Sequence, residues 1–311
     1  MINESAVKSV FEKSFKLQDS ESCLIITDIN KRKIADVFFD YAQNIVGYKA
    51  KIIEIPVGTR HGEEPPSDVV VQMLLFDCEL LITTCSLSHT TARRNASRNG
   101  IRIASMPDIT EEMINRCLDM DYDKLQLRCG KLHEDISACS EVTLKTDLGT
   151  NITFKKEDRS IHGKKGATLD QYGAFGNLPD GEICFAPSSS NGVCFIDASI
   201  AGIGKLFEPV KVIIENNIAI SIEGKESDKL RSILDKVGER AYHVAELGIG
   251  TNDKAIITGK TLEDEKVKGT AHIAFGNNLS FGGNNDVPLH IDCVMQNAQI
   301  FLDGKKLIMS A

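Results

Sequence analysis

Along the first 120 residues, short apolar runs alternate with stretches of helical spacing. Residues 23–27, 50–55, 80–83 and 101–104 are rich in Ile, Leu and Val and read as strands. Residues 30–45, 67–75 and 88–98 space their apolar positions three and four apart and read as helices. Asp68 and Ser88 stand where N-terminal caps belong, and Gly100 stands where a C-terminal cap belongs. The same spacing at Val7, Val10, Phe11 and Phe15, with charges between, predicts an amphipathic packing helix and not an export signal. Repetition of strand, helix and strand predicts a doubly wound α/β domain with a mostly parallel sheet. None of its strand-to-helix turns carries a GxGxxG or Walker loop, so no nucleotide site is expected there.

After a helix over 121–138 the pattern changes. Residues 141–146, 151–154, 182–185, 192–196, 210–214 and 218–222 read as strands. Turn signals join them at Asp147-Leu148-Gly149, Leu178-Pro179-Asp180-Gly181 and Glu215-Asn216-Asn217. One helix, over 226–247, interrupts the series. The expected organisation is a doubly wound α/β domain over 1–138 and a β-rich, mixed α+β domain over 139–311.

Composition narrows the function classes. With 42% hydrophobic and 26% charged residues in a chain of 311, disorder is not indicated. A formal net charge of −8 opposes a nucleic-acid surface, which needs a basic face. Nine scattered cysteines, with no CxxC pair, fit a reducing cytoplasm better than a disulfide framework. The most apolar run, 69–84, is broken by Gln72, Asp77 and Glu79, so no membrane span is expected. A cytoplasmic enzyme or binding protein follows.

Candidate chemistry concentrates near the C-terminus, at Ala271-His272-Ile273-Ala274-Phe275-Gly276 and Leu289-His290-Ile291-Asp292. Strand residues two apart share a face, so His290 and Asp292 can converge on one point. Glu182 opens a strand out of a tight turn, and Glu246 is expected at the end of the 226–247 helix. Taken singly, a glutamate is usually a solvated charge and a histidine usually packs or caps. Together, set among small or apolar residues, they form a plausible ligand set for a divalent metal. Other features have plainer readings: Gly248 to Gly250 as a helix end feeding a turn, Cys293 as core, and residues 61–66 as an exposed loop. Ser88-His89 with Arg93-Arg94 reads as an N-cap with a basic face, or as an anion site.

The strings Asn177-Leu178-Pro179-Asp180-Gly181-Glu182, Ala245-Glu246-Leu247-Gly248-Ile249-Gly250-Thr251-Asn252 and the two histidine motifs resemble the aminopeptidase T-type (thermophilic) metallopeptidases. The resemblance extends to Ile200-Ala201-Gly202-Ile203-Gly204 and Ser88-His89-Thr90-Thr91-Ala92-Arg93-Arg94. It implies a two-domain homodimer with a dinuclear site of zinc, cobalt or manganese in the second domain. Glu182, Glu246, His272, His290 and Asp292 would be the ligands, and Glu182 or Glu246 the general base acting on a small peptide. The family tyrosine after the first histidine has no counterpart: the stretch reads Asn277-Asn278-Leu279-Ser280, and no tyrosine follows Tyr242. An oxyanion partner would then come from elsewhere, Asn284 or a backbone N–H. The same superfamily resemblance includes ring-cleaving enzymes of the 2,5-dihydroxypyridine 5,6-dioxygenase type, which use a single non-haem iron. Here the triad would be His290 and Asp292 with His272 or His243. The expectation is a metallo-aminopeptidase. The alternatives are a dioxygenase with one Fe(II) acting on a small hydroxylated ring, and a non-catalytic metal-binding homologue.

Overall fold

The computed structural model describes residues 1–308, and the chain divides into two compact units. One comprises residues 1–123 and 167–180; the other comprises 124–166 and the chain from 181 onward.

In the first unit, strands Cys23–Asp28, Ala50–Ile55, Cys78–Ile82 and Arg102–Ser105 pair in parallel. A fifth, Phe175–Asn177, joins the far edge parallel to Arg102–Ser105. Cys23–Asp28 and Cys78–Ile82 are buried at every residue, as strands covered on both faces must be. Leu24, Ile26, Leu81 and Ile103 pack with Val69, Met73, Ala92 and Ala96 from the helices. The α/β expectation holds, with two cap positions revised. Thr90, not Ser88, caps helix Thr91–Arg98 by accepting from the Arg93 N–H. Pro66 precedes helix Ser67–Gln72, with Asp68 inside its first turn. Gly100 follows the Thr91–Arg98 helix at φ +96°, as its sequence position suggested.

The second unit is built on two seven-stranded antiparallel sheets. One runs in the order Ile218–Glu223, Val210–Glu215, Ser189–Ile196, Asn151–Lys155, Glu141–Lys145, Gln299–Leu302, Lys305–Lys306. The other runs Gly204–Lys205, Ser199–Ile200, His290–Met295, Ala271–Gly276, Val244–Gly250, Glu182–Phe185, Ile161–His162. Its central strands, Ala271–Gly276 and Val244–Gly250, are buried at every residue.

Two differences from the sequence reading matter for function. The division falls after Asp123, not near residue 138, because helix Tyr122–Ala138 is tied to second-unit groups. Its buried Arg128 donates to the Thr251 carbonyl and pairs with Asp253 at 2.9 Å. Segment 167–180, in turn, belongs to the first unit, to which it gives the edge strand. The expected helix over 226–247 is also much shorter. It spans Ser227–Asp235, and after Gly238 at φ +102° and a short turn, Glu239–Tyr242, the chain becomes strand Val244–Gly250. Gly248 and Gly250 weaken any helix, and pairing on both sides, to Ala271–Gly276 and Glu182–Phe185, decides the outcome. Glu246 therefore lies in mid-strand.

Candidate metal centre

The register of the second sheet assembles the site. Glu182 lies opposite Gly250, Cys184 opposite Gly248, Gly248 opposite His272, Glu246 opposite Ala274, Ala274 opposite Asp292, and Gly276 opposite His290. Directly paired residues of antiparallel strands share a face, so the polar side chains rise from one face with glycine or alanine between them. A methyl group at Gly248 would overlap Cε1 and Nε2 of the His272 imidazole, and one at Gly250 would overlap the Val267 carbonyl. Gly248 and Gly250 thus clear the floor of the site; they do not end a helix, as their sequence suggested.

All five expected residues come together. His290 Nε2 lies 3.1 Å from Glu246 Oε2 and 3.3 Å from Asp292 Oδ1. His272 Nε2 lies 3.5 Å from Glu182 Oε2 and 3.8 Å from Glu246 Oε1. His290 Nδ1 donates to the Asn277 carbonyl at 2.8 Å, which leaves Nε2 as the nitrogen that faces the carboxylates. Glu246, His272 and Asp292 bring one donor atom each within 4.8 Å of one another, and so do Glu182, Glu265 and His272.

Without an ion, these groups neutralise one another. Burial opposes ionisation of Glu246, yet hydrogen bonds from His272 and His290 hold it well below the usual carboxylate range. Burial likewise opposes a charged His272, but Glu246 and Glu182 raise it to about 9. For His290, burial is outweighed by Asp292 and Glu246, which push it well up. For the half-buried Asp292, desolvation opposes the charge, yet His290 lowers it in return. His272 Nδ1 and Glu182 Oε2 are buried without a hydrogen-bond partner among the described residues. Imidazole and carboxylate donors gathered this closely suit a divalent first-row ion, so the residues present fit a metal.

Sequence reasoning missed four neighbours. Lys266 is fully buried, with Nζ 2.5 Å from Glu182 Oε1 and 2.7 Å from Glu265 Oε1. Burial pushes Glu265 up to about 8, against the pull of Lys266. The run Glu263-Asp264-Glu265-Lys266 looks like a solvated loop, yet all four residues are buried. Backbone N–H groups of Ile256, Thr258 and Gly259 satisfy Glu263 and Asp264 there, which nothing in the local pattern announces. Cys184 could have been found, being two residues from Glu182 on the same face. Its thiol, raised by burial, forms a close group with Glu182 and Glu246. His162 pairs across to Cys184 and sets its ring edge-on to Phe281 at 5.6 Å; Phe281 in turn lies 5.5 Å from His290.

Other candidates lie elsewhere. His243, the alternative third member of the triad, precedes the strand and bonds through Nδ1 to the Val244 carbonyl. Asn284 is exposed, and its carbonyl accepts from Arg240. Cys293 is core. In the first unit, Ser88 bonds Ser105 and Asn177, Arg93 donates to the Ser88 carbonyl and covers the Phe175 ring, and Arg94 donates to the His89 carbonyl. Both guanidiniums are thus engaged by their own loop. No helix among the described residues is long and apolar enough to cross a membrane.

Comparison with known proteins is consistent along the whole chain. Residues 4–311 match the family described as NicX, 2,5-dihydroxypyridine 5,6-dioxygenase. A 2,5-dihydroxypyridine 5,6-dioxygenase of Pseudomonas putida is 21% identical over 272 residues, covering 78% of this chain and 73% of that protein. The solved structure of the 2,5-dihydroxypyridine dioxygenase from Pseudomonas putida matches with a TM-score of 0.85 at 17% identity, over 100% of this chain and 97% of that one. AmpT from Thermus thermophilus matches with a TM-score of 0.69 at 14% identity, over 98% and 99% of the two chains. Identities this low make the structural likenesses statements about fold. The family match spans nearly every residue, and the chain belongs to the 2,5-dihydroxypyridine 5,6-dioxygenase family.

Proposed function

We propose that the protein is an iron-dependent ring-cleaving dioxygenase acting on a small hydroxylated aromatic ring, with one ferrous ion held by His272, His290 and Asp292. The observation that carries this reading is the convergence of two imidazole Nε2 atoms and the Glu246 and Asp292 carboxylates on one buried sheet face, in a chain of this family. A cytoplasmic setting suits it, since the nine cysteines are all free and ferrous iron keeps best under reducing conditions.

Bound there, ferrous iron would supply open coordination positions for oxygen and a chelating substrate. The chain's own residues do the rest. The Asn277 carbonyl fixes the His290 tautomer. Glu246 lies between the two imidazoles and orients both. Glu182, whose Oε2 has no hydrogen-bond partner among the described residues and lies 3.5 Å from His272 Nε2, would take the proton of a ring hydroxyl.

A second reading keeps some weight because Glu182 and Glu246 are retained beside His272, His290 and Asp292. That is the full ligand set implied by the resemblance to aminopeptidase T-type enzymes, which would cleave an N-terminal peptide bond with two zinc, cobalt or manganese ions. The missing tyrosine after His272 counts against it.

The test is direct. Protein loaded anaerobically with Fe(II) and given 2,5-dihydroxypyridine in air should consume oxygen in proportion to the ring absorbance lost. His290→Ala and Asp292→Ala should each lower that rate by about 100-fold or more. Ring loss that persists without oxygen would overturn the reading. So would release of an amino acid from an unblocked dipeptide by the Zn(II), Co(II) or Mn(II) protein with no oxygen uptake in the iron form.

A further inference from the structure

We infer that Lys266 is a built-in second cation, a positioning residue that limits the centre to one metal ion per chain. The inference rests on the metal-centre reading above and deepens it. Besides the group of Cys184 with Glu182 and Glu246, two clusters of imidazole and carboxylate donors converge on the sheet face. Glu246, His272 and Asp292, with His290 beside them, form one; Glu182, Glu265 and His272 form the other. The second is where another divalent ion would sit, since it adds two further carboxylates, Glu182 and Glu265, beside the first, and paired ions lie roughly 3.5–4 Å apart. That place already has a positive charge. Lys266 Nζ lies 2.5 Å from Glu182 Oε1 and 2.7 Å from Glu265 Oε1, and its side chain is wholly buried. A buried ammonium survives only when paired with opposite charge, and here the carboxylates it pairs with are those a second ion would need. An ion entering this cluster would have to displace the ammonium from the carboxylates that offset its burial, or stand close to a like charge.

The arrangement also accounts for two of the three glutamates beyond the proposed triad, Glu182 and Glu265, without dinuclear chemistry. Glu182 is held by the lysine through Oε1, while its Oε2 faces His272 Nε2 at 3.5 Å. Glu265 gives the ammonium a second contact from the same buried run.

The test counts ions and does not depend on activity. Metal-stripped wild-type protein is dialysed to saturation against Mn(II), a redox-stable stand-in for Fe(II), and bound metal is measured per chain. One ion is expected for the wild type and two for Lys266→Ala. Lys266→Met, which keeps most of the stem's volume, serves if the alanine variant does not fold. Two ions on the wild type would overturn the inference while leaving the metal centre intact, as would a folded Lys266 variant that still binds only one. No ion on the wild type would remove the metal-centre reading, and this inference with it. If neither variant folds, a wild-type count of two still overturns the inference, and Lys266→Gln, which removes the charge and keeps a polar contact to the carboxylates, takes their place.

Discussion

Gly248 shows how much of the site rests on the smallest residues. The His272 imidazole occupies the space a side chain at 248 would fill. Gly248→Ala should therefore leave the strand in place but turn His272 out of line. Titration of the stripped protein with Mn(II) should show affinity falling about 10- to 100-fold, the range typical of residues that orient a ligand. An unchanged affinity would mean the ring is not held by this contact. Glu79 makes a separate case at the same scale. It is fully buried on Cys78–Ile82, and neither carboxylate oxygen has a hydrogen-bond partner among the described residues. Burial raises its carboxyl well above the usual 4.5. A carboxyl whose folded pKa is raised leaves stability intact below the unfolded value and erodes it as pH climbs above. Glu79→Met should accordingly gain about 1–3 kcal/mol at pH 8 by chemical denaturation, with the gain shrinking toward pH 4. At this scale the alternation His290-Ile291-Asp292 was readable from sequence, because a strand's period of two is a local rule. Lys266 was not, because a charge in a polar run carries no mark of being buried.

Elements were readable wherever their own pattern agreed with what packs on them. Strands such as Ala50–Ile55 and Glu182–Phe185 appear where the apolar runs place them. The stretch that failed, Val244–Gly250, has apolar spacing that a helix could also use, and two neighbouring strands settle it. Phe175–Asn177 went unseen because three residues containing a glycine give no strand signal, and only Arg102–Ser105 beside it makes it one. Helix Tyr122–Ala138 was found, but not its allegiance, which depends on Arg128. Arg128→Ala should cost about 2–3 kcal/mol, the range for losing hydrogen bonds to a charged group; the half-exposed Asp253 adds little. Urea denaturation of the metal-loaded protein measures it, and a loss below about 0.5 kcal/mol would show that the helix is held by its apolar face alone.

For the molecule as a whole, the metal and the proton compete. His272 is raised to about 9 in the metal-free chain. Its contribution to stability is complete below the unfolded value of about 6.5 and is lost as pH rises through about 9. Over the same range, fewer protons stand in the way of an ion. The melting-temperature gap between Mn(II)-loaded and stripped protein should therefore widen from pH 6.5 to pH 9. A gap that narrows would mean the imidazoles are not the groups the ion displaces. Fold class was legible at this scale because hydrophobic period is a global signal. The division after Asp123 was not, because it depends on residues 167–180 returning to the first unit. That return bears on how the chain is made. On the ribosome, strands Cys23–Asp28 through Arg102–Ser105 emerge early, but the edge strand that closes their sheet is not synthesised until residue 177. Until then the N–H and C=O groups of Arg102–Ser105 face an open edge, the kind of surface that invites pairing with another nascent chain. A fragment cut near residue 138 would carry that edge permanently, so chaperone dependence and aggregation are the expected fate of the first unit expressed alone.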